Sequence, residues 1–560
     1  MSGSTSNAAS EKKVRVAVIG SGAAGSSCAY ALSKHPERYE VTVFDKENVP
    51  GGMATSLPID ADKYGASYIN DGVQGCSPQF SNTLKMFELL GYKPIEVGMQ
   101  ISFGKGENFW SNVFPSSLTR KFEKDIAKFG RVLKTIKRLE VLFAFIPVHV
   151  MLKMFRFDPE FGDRMVYPLV ALFFGTGNQT PYVSTAILER VFMDPSMKLF
   201  EFNSKSLLAS IPTMYGFPKL HDVYAAWAEE NQKTHSVTYK LGCEVTSIVS
   251  RSKKGGVVLE YKASLDGRDI TTETFDKLVM ACDADSALKI LGKASTWRER
   301  KVLGSVKYLW DVTITHNDVD YMNKVRGYYE TSFNPNLSAS PTSEEDEEAI
   351  YIAERAFRPL YYTMQYDSDK KKIEMSFDLT HYQPQFRGEK PSGPTMPSHD
   401  GDDSGKPGEA VRTVVPPSTE DSSSTTFTKA REPPFEKHVF QTIFLDRDSS
   451  SHLWTIESLN PSKRIAERWW KQQSHRWQHY LQVVPWMWML NDQSNTVYAG
   501  AWTMLNMHEI ALVSGFSAAY RLGAEFPFKG DEECERLWKL YYAVAHGGRV
   551  RKADRKGFFV

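Results

Sequence analysis

The chain has 560 residues, and 41% of them are hydrophobic. A chain of this length is longer than one hydrophobic core usually serves, so we expect two domains. The net charge of +1 gives no global electrostatic argument for nucleic acid or for an anionic membrane, and it favours a small-molecule ligand. The five cysteines are odd in number and form no C-x-x-C pair, which excludes a disulfide framework and predicts no metal site. Together these features predict a reducing, cytoplasmic location.

Residues 1–13, "MSGSTSNAASEKK", contain no apolar core. They predict a disordered leader rather than a signal peptide.

A strand, a turn and a helix open the folded part of the chain. The β-branched run "VRVAVIG" from Val14 predicts a buried parallel strand, and Gly20, Gly22 and Gly25 complete G-x-G-x-x-G directly after it. The first glycine allows a tight turn, the second lets the backbone approach a pyrophosphate, and the third lets helix and strand pack closely. The helix that starts at Ala23 offers free N–H groups to phosphates.

A carboxylate strengthens this interpretation. The second predicted strand, "YEVTVFD", ends on Asp45, twenty residues after Gly25, where a carboxylate can accept hydrogen bonds from ribose hydroxyls. A glycine-rich turn selected only for packing would explain the glycines but not the acid. The pattern therefore predicts a bound dinucleotide.

The apolar run from Val141 to Phe155 is too short to span a membrane and contains Pro147 and Lys153. It predicts a buried or surface-lying helix, and it leaves peripheral membrane contact open. It also belongs to a mostly helical stretch that we expect to cover the substrate.

The order of predicted elements indicates an α/β fold: a doubly wound Rossmann-type domain and a second domain with a mixed sheet and helices. A segment rich in Pro, Ser, Thr, Gly and Asp cannot bury enough apolar surface to fold, and it predicts a disordered insertion. The predicted boundaries are 14–90, 236–300 and 486–560 for the first domain, 91–235 and 301–485 for the second, and 389–434 for the insertion.

Four motifs, separated along the chain, indicate which dinucleotide binds. The doublet Gly51–Gly52 in "PGGMATS" resembles the one that follows the second strand in the flavin amine oxidase and phytoene desaturase superfamily. The resemblance implies FAD, although Met53 stands where the family usually has an arginine. "GCEVTSIV" places Val245 where relatives hold the adenine, and "FDKLVMACDADSAL" resembles the strand that closes the cofactor domain.

The fourth motif, "VYAGAWTMLNMHEIALVSGFSAA", resembles the C-terminal flavin motif of that superfamily. The resemblance places Gly500 beside the ribityl chain, with Ala501 in place of the common acid. It also puts His508 and Glu509 near the flavin ring, where they could relay a proton or, alternatively, only hold the loop. Several segments are similar to bacterial flavoproteins known only as predicted NAD/FAD-binding proteins.

These motifs predict an FAD-dependent oxidoreductase that desaturates, dehydrogenates or isomerises a small lipophilic unsaturated substrate. One alternative is an amine oxidase that releases hydrogen peroxide, although Met507 stands where one ring of the amine-guiding aromatic pair is expected. A second alternative is a flavin-binding partner protein without turnover, which Met53 and Ala501 favour. The Trp-rich segment near residue 470 predicts packing rather than nucleic-acid binding. The sequence leaves the oligomeric state open.

Overall fold

The computed structural model describes residues 12–175, 177–209, 211–263, 269–323, 327–388, 433–491 and 493–554, without the side chains of Phe174 and Ala553. The predicted leader, apart from Lys12 and Lys13, lies outside the described residues. The predicted insertion does so too, apart from Pro433 and Pro434.

A five-stranded parallel sheet forms the first layer. Its strands, in chain order, are β1 (Val14–Ile19), β2 (Tyr39–Phe44), β3 (Val237–Lys240), β4 (Lys277–Met280) and β5 (Thr496–Tyr498). They lie in the spatial order β3-β2-β1-β4-β5, and every pair is parallel. Segments far apart in the chain therefore meet in one sheet, whose central strands are almost entirely buried.

Helices pack around this sheet and against one another. They are α1 (Ala23–Ser33), α2 (Ser81–Leu89), α3 (Leu220–Gln232), α4 (His508–Leu522) and α5 (Glu532–His546). Helix α4 crosses α1 closely, since a Cβ placed on Gly515 would lie 2.0 Å from the Ala24 carbonyl oxygen. Two further helices, Ala284–Leu291 and Trp297–Leu303, follow β4. An antiparallel sheet inserted before β4 contains Glu244–Ser252, Gly256–Lys262 and Ile270–Phe275.

A second, mixed sheet contains seven strands. Its spatial order is Arg464–Gln473, Tyr308–His316, Phe440–Phe444, Asp369–Asp378, Tyr361–Tyr366, Ile101–Phe103 and Trp110–Ser111. Only the pairing of Tyr361–Tyr366 with Ile101–Phe103 is parallel among these described strands. Smaller sheets are formed by Ser56–Pro58 with Tyr68–Asn70, by Gly75–Cys76 with Thr213–Gly216 and Ile95–Gly98, and by Phe202–Asn203 with Leu207–Leu208.

A helical region covers the second sheet. Its members are Ser117–Lys121, Glu123–Arg138, Glu140–Phe143, Val148–Met154, Pro159–Phe161, a π-helical turn Gly162–Val166, Tyr167–Phe174 and Thr185–Met193. The apolar run contains two short helices rather than one, because Pro147 interrupts it. No helix within the described ranges is long and apolar enough to cross a bilayer.

The remaining helices are short, with one exception. They are Ala61–Tyr64, Val319–Asn323, Leu379–Tyr382, Arg447–Ser450, Trp477–Gln482 and Met487–Leu490. The exception is Glu344–Ala356, which folds within an acidic stretch because Ser343 caps it and four acids lie in its first turn. The predicted fold class is confirmed: a parallel α/β sheet and a second mixed sheet with helices.

Candidate functional site

A cavity of about 1460 Å³ opens at the carboxyl ends of β1 and β2. Ligands of parallel α/β sheets bind in this crevice, outside the strand ends. The volume exceeds the roughly 300–1,000 Å³ that is typical for a single small-ligand pocket. The cavity can therefore hold a cofactor together with a second compound. Most of the predicted site residues line it: Gly20, Gly22, Ala23, Asp45, Gly51, Gly52, Met53, Val245, Gly500, Ala501 and His508.

The three glycines after β1 differ in the space around them. A Cβ on Gly20 would lie 2.6 Å from the Ala281 carbonyl oxygen, and Gly20 has a φ of +106°. A Cβ on Gly25 would lie 1.8 Å from the Gly20 carbonyl oxygen, which explains why Gly25 is glycine although it does not line the cavity. A Cβ on Gly22 would meet nothing closer than 3.7 Å. Of the three, only Gly22 leaves open space on the cavity side.

The glycine doublet lies directly against this turn. Gly51 N–H donates to the Ser21 carbonyl at 3.1 Å, and Gly22 and Gly51 form an isolated parallel bridge. Both doublet residues have positive φ values, +130° at Gly51 and +61° at Gly52. The doublet and the first turn thus form one continuous backbone wall of the cavity.

Asp45 holds the turn in place. Its Oδ2 accepts hydrogen bonds from Ser21 N–H at 2.7 Å and from Ser21 Oγ at 2.6 Å, while its Oδ1 accepts one from Glu47 N–H at 3.0 Å. Two carboxylate oxygens offer about four lone-pair sites, so about one of them, on Oδ1, remains for a ligand hydroxyl. The sequence predicted the ribose contact but not the bond to the turn.

The other predicted cofactor contacts lie further along the same cavity. Val245, in the strand Glu244–Ser252, is 5% exposed. Gly500 follows β5 with a φ of +140°, and its N–H donates to Ser514 Oγ at 2.8 Å. Met53 is 40% exposed and lies beside the doublet.

His508 is the first residue of α4 and sits in a buried hydrogen-bond chain. Its Nε2 lies 2.7 Å from the Tyr224 hydroxyl, and its Nδ1 lies 2.9 Å from Thr83 Oγ1. Thr83 Oγ1 donates to Glu509 Oε2 at 2.7 Å. The proton between His508 and Thr83 therefore resides on Nδ1, and Nε2 accepts from Tyr224. Burial lowers the pKa of His508 to about 4, so the ring is neutral at neutral pH.

Glu509 does not line the cavity. Its Oε1 accepts from the N–H and side-chain amide of Asn82, and its Oε2 accepts from the N–H and hydroxyl of Thr83. Asn82 and Thr83 lie in the first turn of α2, so the carboxylate caps that helix from α4. Burial raises the pKa of this carboxyl. The geometry supports the loop-holding alternative for Glu509, while its catalytic role stays a prediction.

The far wall of the cavity is apolar and aromatic. It includes Met99, Leu172, Phe173, Leu199, Phe200, Met214, Tyr361, Phe377, Tyr382 and Ile443. Leu172 and Phe173 belong to the helical stretch that was expected to cover the substrate. The sequence does not single out the wall residues individually, because they come from strands and helices that meet only in the folded chain. Tyr224, whose ring packs beside Gly51, was missed for the same reason.

Two polar groups interrupt this wall. Gln74 lines the cavity, and its buried Oε1 accepts no hydrogen bond from any described residue. Arg468 Nε lies 3.2 Å from Asp71 Oδ2 at the cavity edge. Both offer hydrogen-bonding atoms to a ligand.

A separate cluster contains Asp378, His381 and His438, and none of the three lines the cavity. Asp378 Oδ2 lies 2.8 Å from His438 Nδ1 and 3.2 Å from His381 Nδ1. The three ligand atoms are close enough to hold a metal ion. The sequence predicted no metal site, since His438 lies 60 positions beyond Asp378. The same contacts also satisfy a buried carboxylate by hydrogen bonding alone.

Comparison with known proteins agrees with this geometry. Residues 18–87 match the family model of the NAD(P)-binding Rossmann-like domain. No curated protein shows significant sequence similarity to the chain.

Solved structures with the same fold include a CLA-producing fatty acid isomerase from P. acnes (TM-score 0.55, 10% identity, 91% of this chain and 99% of that one). Putrescine oxidase bound to putrescine is similar to the same extent (TM-score 0.53, 12% identity, 91% of this chain and 99% of that one). So is cyclohexylamine oxidase from Brevibacterium oxydans (TM-score 0.52, 10% identity, 94% and 100%). The chain thus carries a Rossmann-like nucleotide-binding domain within a fold that it shares, over nearly its whole length, with these oxidases and this isomerase.

Proposed function

We propose that this protein is an FAD-dependent oxidoreductase that desaturates, dehydrogenates or isomerises a lipophilic unsaturated compound. The observation that carries the proposal is the single cavity that joins the glycine-rich turn after β1 to an apolar wall. The nucleotide end and the substrate end of a redox site are expected to adjoin in this way, because the reacting atoms must meet.

The nucleotide end fits FAD. The backbone at Gly22 leaves room for a pyrophosphate, and the amino end of α1 supplies N–H groups and a positive dipole end. Asp45 is placed to accept ribose hydroxyls, and the Gly51–Gly52 doublet and Gly500 flank the path toward the apolar wall. When bound, FAD supplies the hydride-accepting ring, and the chain supplies position and electrostatics.

The substrate end favours a lipophilic compound. Its wall of methionine, leucine and phenylalanine side chains excludes water and offers few hydrogen bonds. The similar isomerase from P. acnes acts on a fatty acid, as its name states, which supports the same class of substrate here.

Of the two predicted catalytic residues, His508 rather than Glu509 would contact a ligand in the cavity. His508 lines the cavity as a neutral ring whose Nε2 accepts from Tyr224, whereas the four hydrogen bonds that Glu509 accepts from described residues all come from α2. Tyr224 also lines the cavity, and burial raises the pKa of its hydroxyl while it lowers the pKa of His508, so this pair would hold the Tyr224 proton in place rather than transfer it to the ring.

The test is the absorption spectrum of the purified protein, followed by anaerobic titration with unsaturated fatty acids, carotenoids and amines. We expect a yellow protein whose flavin band bleaches with an unsaturated lipid, or a lipid product with a shifted double bond. A colourless protein that cannot be reconstituted with FAD would remove the proposal.

Amine oxidation is the second candidate, because two of the similar structures are amine oxidases. It predicts bleaching by amines and peroxide release in air. A yellow protein that no compound class bleaches and that converts no lipid would instead support the non-catalytic partner.

A further inference from the structure

We infer that the protein docks on anionic membranes through a surface formed by the segment around Pro147. This inference is independent of the proposed function. It rests on an exposed cluster, here called the apolar patch, that contains Leu139, Val141, Leu142, Phe145 and Met154.

The apolar patch is unusually exposed for its residue types. Val141 is 76% exposed, Leu142 is 61% exposed and Met154 is 55% exposed. Large aliphatic side chains are normally buried, and a cluster of exposed ones marks an interaction surface. Phe143, between the exposed positions, packs inward and anchors the patch, with its ring centroid 6.2 Å from that of Phe155.

The positive charge around the apolar patch indicates an anionic partner. Residues 124–156 contain eight lysines and arginines against two acids, Asp125 and Glu140. Both acids are already paired, Asp125 with Lys128 at 3.1 Å and Glu140 with Arg190. The exposed basic side chains beside the patch, here called the basic rim, are Lys134, Lys137, Arg138, Lys153 and Arg156.

The apolar patch and its basic rim are complementary to an anionic bilayer surface, because apolar side chains enter the interface and lysines or arginines contact lipid phosphates. A second copy of this chain is disfavoured as occupant, since two basic rims would repel across a symmetric contact. The near-zero net charge of the whole chain conceals this local excess.

The patch also lies close to the apolar wall of the cavity. Glu140 is paired with Arg190 in the helix Thr185–Met193, and Phe192 of that helix lies 5.3 Å, centroid to centroid, from Phe173, which lines the cavity. One helix thus separates the proposed membrane surface from the cavity wall.

The experiment is co-sedimentation of the full chain with vesicles of phosphatidylcholine alone or of phosphatidylcholine with phosphatidylserine. We expect binding to the anionic vesicles that weakens as salt rises. The double substitution Val141→Ser and Leu142→Ser should weaken binding at least about tenfold. The matched control is Val249→Ser and Ile270→Ser, at 53% and 56% exposure in the antiparallel sheet inserted before β4, which should bind like the wild type.

A second variant, Lys134→Gln with Arg138→Gln, should lose the preference for anionic vesicles. Flavin absorbance and circular dichroism should be unchanged in all variants, which separates this test from that of the proposed function. The inference is overturned if wild type stays in the supernatant with anionic vesicles or if the patch variant binds equally well. It is also overturned if the chain is a dimer that Val141→Ser and Leu142→Ser convert to a monomer.

Discussion

Individual glycines in this protein serve different physical purposes although they belong to one motif. At Gly25 and Gly20 a side chain would collide with backbone, whereas at Gly22 the neighbouring protein leaves space. The motif alone predicted all three, but only the packing shows which one leaves space beside the cavity.

Gly22→Asp should therefore abolish FAD binding without unfolding the protein. The carboxylate would occupy and repel the pyrophosphate position, while its Cβ meets nothing within 3.7 Å. The measurement is flavin content per chain beside the thermal unfolding midpoint. Gly25→Ala is the contrasting control, since its Cβ falls 1.8 Å from a carbonyl oxygen and should prevent stable folding. Full flavin content in Gly22→Asp would show that the turn is structural only.

His508 and Glu509, the two polar residues at the start of α4, have different contacts and therefore different roles. Glu509 caps α2 while His508 faces the cavity, so two adjacent residues have separate environments.

Glu509→Gln should destabilise the protein by about 2 kcal/mol, because the amide NH₂ would face the N–H and hydroxyl donors of Asn82 or Thr83. Chemical denaturation measures this loss. Glu532→Gln, at the exposed first turn of α5, is the matched control and should change stability by less than about 1 kcal/mol. If Glu509→Gln were fully stable yet inactive, the catalytic prediction for Glu509 would be restored.

The crossing of α1 and α4 depends on a small residue at the contact. Gly515→Val should cost about 3 kcal/mol or more, because its Cβ would lie 2.0 Å from the Ala24 carbonyl oxygen and 2.1 Å from Ser27 Oγ. Thermal unfolding tests this, with Gly22→Ala as the glycine that has room for a methyl group. An unchanged midpoint for Gly515→Val would mean that the helices cross elsewhere.

Buried histidines contribute to the way in which the stability of the whole molecule changes with pH. Burial lowers the pKa of His316, His475 and His546 to about 3 and that of His479 and His508 to about 4. In the unfolded chain these rings take up protons below about pH 6.5, while the folded protein keeps them neutral.

The histidine contribution to stability should consequently fall as the pH drops from about 6.5 toward 4, because the unfolded state then binds more protons at these rings. Buried carboxyls such as Glu189 and Glu509 act in the opposite direction, because burial raises their pKa. Each histidine contributes up to about 1.4 kcal/mol per pH unit. Urea unfolding across this range measures how the free energy of unfolding changes with pH. His546→Gln should make that dependence shallower by the contribution of one proton. A pH dependence that His546→Gln leaves unchanged would contradict a buried neutral ring at this position.

The sequence by itself determined the fold class and the nucleotide end of the cavity. That part is local: the strand, the G-x-G-x-x-G turn, the acid at the end of β2 and the doublet all lie within about forty consecutive residues, and spacing alone brings them together. Tertiary structure decided the rest. The apolar wall, the partner of His508, the capping role of Glu509 and the exposure of Val141 depend on contacts between segments far apart in the chain. Short-range periodicity carries no information about which distant faces will meet, and so these features became visible only once the chain was folded.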